Sequence, residues 1–385
     1  MKIIGIICEY NPLHLGHKKQ IDWIRSQFSE KCAIVCLMSG NFVQRGSPAI
    51  VDKSLRAKAA ILSGADLVLE LPVTYALSSA EGFAAGGVSI LGKFCDYLCF
   101  GSESGSADAL MTTARALLSE QFPPLLRSRL EEGMSFPAAR AAALQDLGLD
   151  SDLLDNPNDI LAVEYCKAIL SQATAMQPLV IRREGSYHAQ QADPDNPSAT
   201  ALRQLMHSGE VWEPYIPEKA GDCFRQARLH SLEAVERAVL GRLWTMTDEE
   251  FEALPYGSEG LWRKFMHASR SFATLEEIIS ATKSKRYTRT RIQRMVLCAF
   301  LGITKEMLDS PAPYTRVLAF NGTGRSVLKR AKQLTPCINA GEIPDDPYWS
   351  LEKRCADLYG LTCLDLPEAP GQEEARRVFY QREQV

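Results

Sequence analysis

Lys2-Ile-Ile-Gly-Ile-Ile-Cys8-Glu9-Tyr10-Asn11-Pro12-Leu-His14-Leu-Gly16-His17 is the stretch from which the rest of the chain is read. An apolar run rich in β-branched residues, an Asn-Pro breaker and helical spacing over 17–28 predict a buried first strand, a tight loop and a helix. A loop that delivers its ligand to a helix N-terminus is an anion site, because unpaired backbone N–H groups and the helix dipole both favour negative charge there. His14-x-Gly16-His17 lies in that loop. Two imidazoles at such a terminus can donate hydrogen bonds to α-phosphate oxygens while pyrophosphate is displaced, and Gly16 lets the backbone approach with no side chain in the way. The pattern implies adenylyl transfer, with plain phosphate binding as the alternative. Zinc is the weaker reading: no carboxylate or third ligand stands nearby at a metal-like spacing, so no resident metal site is expected.

The frame around this motif is that of a large intracellular chain. At 385 residues, 46% of them hydrophobic, it has room for two or three domains and a sizeable core, and 43 basic against 47 acidic residues leave a near-balanced charge of −4. Eleven cysteines with no Cys-x-x-Cys spacing indicate neither a disulfide framework nor a zinc knuckle, which fits a reducing compartment. Met1-Lys2 leads straight into the first strand without a signal segment, and no stretch is apolar over about twenty residues, so a cytoplasmic protein with no membrane partner is expected. Nothing in the sequence specifies an oligomeric state.

Further along, strands at 32–38, 66–71 and 96–100 alternate with helices at 53–63 and 79–91. Continuous apolar strands separated by helices imply an α/β, Rossmann-like parallel sheet covered on both faces, and such sheets bind ligands at the carboxyl ends of their strands. The loops beginning at Glu9, Ser39, Leu71 and Gly101 are therefore expected to converge, bringing Asn11, Gln44, Arg45, Glu70, Gly101, Ser102 and Glu103 together. Helical spacing follows at 107–118, 125–131, 136–147 and 159–170, the last opened by the cap-like Asn156-Pro-Asn158-Asp159. A strand at 179–183, a turn at Asp193-Pro-Asp-Asn-Pro197 and a helix start at Ser198-Ala-Thr200-Ala-Leu-Arg203 complete a first domain over 1–210. Ser198, Thr200 and Arg203 could hold a triphosphate, and Arg182, Arg183 and Arg203 are candidate clamps because a guanidinium fork matches phosphate oxygens.

Residues 211–385 read as a mostly α-helical second domain, with helices at 229–246, 259–269, 274–282, 289–301 and 324–333 broken at Pro217, Pro255 and Pro311. Within it Lys283, Lys285, Arg286, Arg289, Arg291 and Arg294 crowd one acid-free stretch around Tyr287. A solvated helix face would look the same, but an aromatic inside a basic cluster of a slightly acidic chain favours contact with a nucleic-acid backbone.

His-x-Gly-His after the first strand and Ser-x-Thr-x-x-Arg after the last resemble the HIGH-motif nucleotidyltransferases. A closer resemblance spans nearly the whole chain. Gly5-Ile-Ile-Cys-Glu-Tyr-Asn-Pro-Leu-His-Leu-Gly-His17, Met38-Ser-Gly-Asn-Phe-Val-Gln-Arg-Gly46, Pro48-Ala-Ile-Val-Asp-Lys53, Gly64-Ala-Asp-Leu-Val-Leu-Glu-Leu-Pro72, Phe100-Gly-Ser-Glu103, Pro157-Asn-Asp-Ile-Leu161 and Lys285-Arg-Tyr-Thr-Arg-Thr-Arg-Ile-Gln-Arg294 are similar to bacterial tRNA(Met) cytidine acetate ligases. Leu13 and Leu15 stand where that family usually has Phe and Asn.

The resemblance implies that acetate and ATP form acetyl-adenylate, and that the wobble cytidine of elongator tRNA(Met) then takes the acetyl group to give N(4)-acetylcytidine. It places ATP contacts on the segment from Ile7, Cys8, Glu9, Tyr10 and Asn11 through Gly16 to Gln20, and on Gly101, Asn158, Arg182 and Arg183. Mg2+ would accompany the triphosphate through ATP oxygens and water. The two nucleotide motifs alone would also permit a small-molecule adenylyltransferase of cofactor biosynthesis. A non-catalytic RNA-binding protein on the same fold is a third reading.

Overall fold

The computed structural model describes residues 1–183, 198–338 and 346–382. Five strands follow the predicted alternation: β1 (Ile3–Cys8), β2 (Ala33–Ser39), β3 (Leu67–Leu71), β4 (Tyr97–Ser102) and β5 (Gln177–Arg182). They lie in the order β3-β2-β1-β4-β5 and every pairing among them is parallel, so β1 is central and the carboxyl ends of all five open on one edge. Helices cover both faces, which is why β2 is buried from end to end and its sequence shows no polar alternation.

The two sides of the sheet form distinct cores. One gathers Ile3, Val35, Leu37, Leu67, Leu69, Leu98 and Phe100, with Ile7 packed against them, under the helices Ala80–Leu91 and Pro157–Ser171. The other gathers Ile4, Ile6, Ile34, Cys36, Met38, Val68 and Cys99 under the helices Leu15–Gln27, Lys53–Leu62 and Ala199–Ser208. Alternation along each strand sends successive residues to opposite cores.

Residue 210 does not bound the sheet. The helical part beyond it runs from Glu218–Phe224 to Lys305–Asp309, and the chain then returns. Strand β6 (Thr315–Phe320) adds antiparallel to β3, and the two-residue strands β7 (Cys337–Ile338) and β8 (Phe379–Tyr380) pair with β6. The part beyond 210 is mostly helical, as expected; the sequence reading did not pick out these three strands or the helix Pro347–Leu361 within it. The intervening helices Glu236–Thr245, Leu261–Ser269, Leu275–Thr282 and Arg289–Leu301 bury a third core of their own around Leu243, Phe251, Phe265, Ile278 and Met295. That core reaches Phe42, Val73 and Leu77 on one side and Leu351, Cys355 and Tyr359 on the other. The turn expected at 193–197 lies outside the described residues.

Candidate nucleotide site

The loop after β1 reverses sharply. Tyr10, buried, adopts φ 45°, a conformation uncommon outside glycine and concentrated at functional sites. Asn11 is buried and its Oδ1 accepts the Ile50 N–H at 2.7 Å, so this side chain ties the loop to the body of the protein. Arg56, fully buried, donates to the carbonyls of Val51 (2.8 Å), Glu9 (2.6 Å), Ser39 (3.1 Å) and Gly40, gripping the loops that leave β1 and β2 together. The sequence shows Arg56 only as one residue of the helix expected at 53–63; the carbonyls that the fold aims at it reveal its role.

The helix Leu15–Gln27 is capped by the two histidines themselves. The Gly16 N–H donates to His14 Nδ1 at 3.1 Å, the His14 N–H donates to His17 Nδ1 at 3.3 Å, and the rings stack 3.8 Å apart. Because each Nδ1 accepts, a neutral ring carries its proton on Nε2, the edge turned away from the helix backbone. Burial, reinforced by the Arg183 and Arg203 charges, pulls His14 down to about 3; burial and the neighbouring His14 likewise pull His17 well below the ordinary imidazole value. Both rings are thus neutral N–H donors at physiological pH.

These rings border a recess of ≈ 280 Å³ at the carboxyl edge of β1 and β4. Of the residues expected to bind nucleotide, Ile7, Cys8, Glu9, Tyr10, Asn11, His14, His17, Gly101, Asn158, Arg183, Ser198, Thr200 and Arg203 all line it. Ser198 caps the helix Ala199–Ser208 through the Ala201 N–H. Arg203 donates to the Asn11 carbonyl at 2.7 Å and to Thr200 Oγ1 at 3.0 Å, joining that helix to the β1 loop. Arg183 donates to Asn158 Oδ1 at 3.1 Å, and Asn158 in turn donates to Glu103 Oε1 at 2.5 Å. Gly101 leaves room for the Arg183 side chain: a Cβ there would fall 2.7 and 2.8 Å from the Arg183 Cδ and Cγ and would displace that side chain from its place in the recess.

Two expected residues stand apart from the wall of this recess. Gly16 contributes its N–H to the cap. Arg182 lies against Gly105, because adjacent residues at the end of an extended strand face opposite ways. The loop convergence holds for Glu9, Gln44, Arg45 and Gly101, whereas Glu70 is buried elsewhere, 2.6 Å from Lys53 Nζ. Ser102 and Glu103 serve the start of the helix Pro157–Ser171, Ser102 by donating to Asp159 and Glu103 by accepting the Asp159 N–H at 2.9 Å. The sequence did not single out Phe83, Cys99, Phe100, Leu161, Tyr165 and Ala199, which also line the recess. An apolar side chain at a strand end or on a helix face carries no mark separating core from pocket wall.

The basic run divides in two. Lys283, Lys285 and Arg286 are exposed, the last paired with Glu259 at 2.9 Å, and Arg289 pairs with Glu276 Oε1 at 2.8 Å. Arg291 instead donates to the Tyr256 carbonyl at 2.7 Å. Arg294 is buried over the Tyr256 ring, 4.8 Å from its centroid, and donates to the Gln44 carbonyl at 3.2 Å. Arg294 is therefore corrected from a surface contact to a strut behind the pocket loop: its position on the helix Arg289–Leu301 faces the sheet domain. Among the described residues no group of three or more His, Cys, Asp or Glu could hold a metal, and no helix is long and apolar enough to cross a membrane.

The HIGH Nucleotidyl Transferase family model matches residues 1–370. A tRNA(Met) cytidine acetate ligase of Clostridium novyi is 38% identical over 353 residues, covering 86% of this chain and 88% of that protein. One of Anoxybacillus flavithermus is 35% identical over 379 residues, covering 93% and 94%. Among solved structures, Thermotoga maritima TmcAL in its apo form superposes with a TM-score of 0.91 at 28% identity over 99% of this chain and 100% of that one. The same protein bound with alpha-thio ATP superposes at 0.89 and 27% identity with the same coverage.

Proposed function

Since the chain belongs to the HIGH nucleotidyl transferase family, within it to the tRNA(Met) cytidine acetate ligases, we propose a division of labour among its residues for the acetylation of a tRNA cytidine. The protein is an ATP-dependent ligase that activates acetate as acetyl-adenylate and passes the acetyl group to the wobble cytidine of elongator tRNA(Met), forming N(4)-acetylcytidine. Acetate is a poor acyl donor because its leaving oxygen would carry full charge, and adenylation replaces that oxygen with a far better leaving group. An acetate oxygen bonds to the α-phosphorus as the bridging P–O bond to pyrophosphate breaks. The cytidine N4 then bonds to the acyl carbon, the C–O bond to AMP breaks, and N4 releases a proton to solvent.

The observation that carries this reading is the pair of neutral imidazoles on one helix terminus beside Arg203 and Thr200. In phosphoryl transfer the protein acts mainly by positioning and by donors aimed at spreading charge. His14 and His17 donate from Nε2 to the α-phosphate oxygens. Ser198, Thr200 and Arg203 receive the leaving pyrophosphate; Gly101, Asn158 and Arg183, the last two joined by their hydrogen bond, complete the ATP contacts. Mg2+ accompanying ATP would be held by phosphate oxygens and water and would neutralise phosphate charge, since Glu9, the carboxylate among the described residues of the pocket wall, already accepts the Gln44 N–H at 2.7 Å. Lys283, Lys285 and Arg286 offer exposed charge to the tRNA backbone from the helical part. Dependence on ATP and a tRNA substrate support a cytoplasmic location.

Incubation with ATP, labelled acetate and elongator tRNA(Met) tests the reading. Label in tRNA with one AMP and one pyrophosphate per acetyl group is the expected result. An adenylated pantetheine phosphate formed without tRNA would instead favour a cofactor adenylyltransferase, and absence of any turnover a non-catalytic RNA-binding protein.

A further inference from the structure

The recess has a part that the nucleotide does not account for. The groups assigned to phosphate stand on one side of the sheet: His14 and His17 begin the helix Leu15–Gln27, and Arg203 lies on the helix Ala199–Ser208, both packed in the core of Ile4, Ile6 and Cys99. Ile7, Phe83, Phe100, Leu161 and Tyr165 also line the recess, yet they belong to the core on the opposite side. The pocket thus straddles the carboxyl ends of β1 and β4: Ile6 and Cys99 accompany the phosphate groups on one face, and on the other Asn158 opens the helix that carries Leu161 and Tyr165.

In-line displacement requires the attacking oxygen and the departing pyrophosphate to lie on opposite sides of the α-phosphorus. With pyrophosphate drawn toward Ser198, Thr200 and Arg203, the nucleophile has to arrive from across the sheet, where these five side chains stand. We propose that this apolar lobe is the acyl subsite, which takes the methyl group of the carboxylate substrate and sets its chain length. The inference rests on the acetate-activating reading given above.

The walls of the lobe are fixed by packing. Ile7 Cδ1 lies 2.3 Å from where a Cβ on Gly87 would stand, so the helix Ala80–Leu91 presses directly on it. Phe100 and Tyr165 meet with ring centroids 5.3 Å apart, and Phe83, Phe100 and Tyr165 are all buried. Such walls do not yield to a longer chain. Leu161, half-buried on the rim, is the side chain whose size changes with the least disturbance of the core.

The test compares acetate, propionate and butyrate in pyrophosphate release by the full chain with ATP and elongator tRNA(Met). A single methylene in an apolar pocket is worth roughly 10- to 200-fold in kcat/KM. Leu161→Ala is expected to raise the propionate-to-acetate ratio of kcat/KM by about tenfold or more. Leu161→Phe is expected to raise KM for acetate while the Kd for ATP stays as in the wild type. A ratio in Leu161→Ala within twofold of wild type, with both proteins active, overturns the inference. So does a Kd for ATP that rises in Leu161→Phe while KM for acetate is unchanged, which would seat the adenine in this lobe. Wild-type protein that releases no pyrophosphate with acetate overturns the parent reading and the inference with it, an outcome distinct from the other two.

Discussion

His14 and His17 are proposed to act as neutral donors, and the reason lies in their backbone contacts. A cap normally built by Ser, Thr, Asp or Asn is here built by imidazole Nδ1 atoms, which directs each remaining N–H outward as a donor. His17→Ala is expected to reduce adenylate formation by about 10²- to 10³-fold, the usual cost of losing one transition-state donor. The far-UV spectrum should be unchanged, since the helix Leu15–Gln27 is also held by Ile21 and Ile24 in the core; unaltered pyrophosphate release would remove His17 from the mechanism. The depressed value of His14 has a thermodynamic counterpart. Between pH 6.5 and about 3 the unfolded chain binds a proton at this position that the folded chain refuses, so stability rises with pH through that window and is complete above it. On acidification from pH 6.5 toward 5, His14→Gln should lose stability less steeply than wild type, by up to about 1.4 kcal/mol per pH unit. Denaturant titrations of the free protein at several pH values measure this, and parallel slopes would show that His14 is protonated in the native state.

The helix Arg289–Leu301 has two jobs at its two faces. Inward, Arg294 holds the Gln44 carbonyl while the Gln44 N–H is held by Glu9, so one residue of the pocket wall is gripped from both the helical part and the β1 loop. Outward, the turn before it presents Lys283, Lys285 and Arg286. Surface pairs such as Arg286–Glu259 are weak and exchange readily for phosphate. Replacing Lys283, Lys285 and Arg286 together by Ala should weaken tRNA binding and lower the magnitude of the log Kd against log salt slope by about 0.7 to 0.9 per lost contact. Tryptophan fluorescence should show the fold and nucleotide binding retained. Equal affinity in the triple variant would make the run an ordinary solvated surface.

Chain ends that are far apart in sequence close the architecture. Lys53, beside the first loops, is buried between Glu70 at 2.6 Å and Glu373 at 2.7 Å, the second pair spanning 320 residues of chain. Glu373 also meets Arg316 of β6 and, at 3.0 Å, Arg376, which in turn bridges to Asp52 at 2.7 Å. Burial pulls Lys53 down to about 8, a sign of how little water reaches it. Glu373→Ala removes the anion shared by three cations and should cost about 3–5 kcal/mol of stability. Urea titration followed by circular dichroism and by fluorescence would measure it; a loss under about 1 kcal/mol, the range of an exposed pair, would mean that the cluster is hydrated.

Much of this molecule was legible in local pattern. The apolar runs of β1 to β5 and the spacing of the helices between them specified the parallel sheet, because a strand buried on both faces has to be apolar throughout. His14, His17, Ser198 and Arg203 were singled out because phosphate chemistry demands particular groups at helix starts, and all four line one recess. The strands β7 and β8, two residues each, carry no pattern of their own and exist only because β6 offers an edge. Arg56 was one unremarked residue of a helix, Arg294 was read as a contact to nucleic acid, and the apolar lobe carried no mark separating it from core. Sequence periodicity reports which face of an element avoids water; it does not report what that face will meet. Buried cations, pocket walls and edge pairings depend on partners brought from distant parts of the chain, and were decided when the sheet assembled.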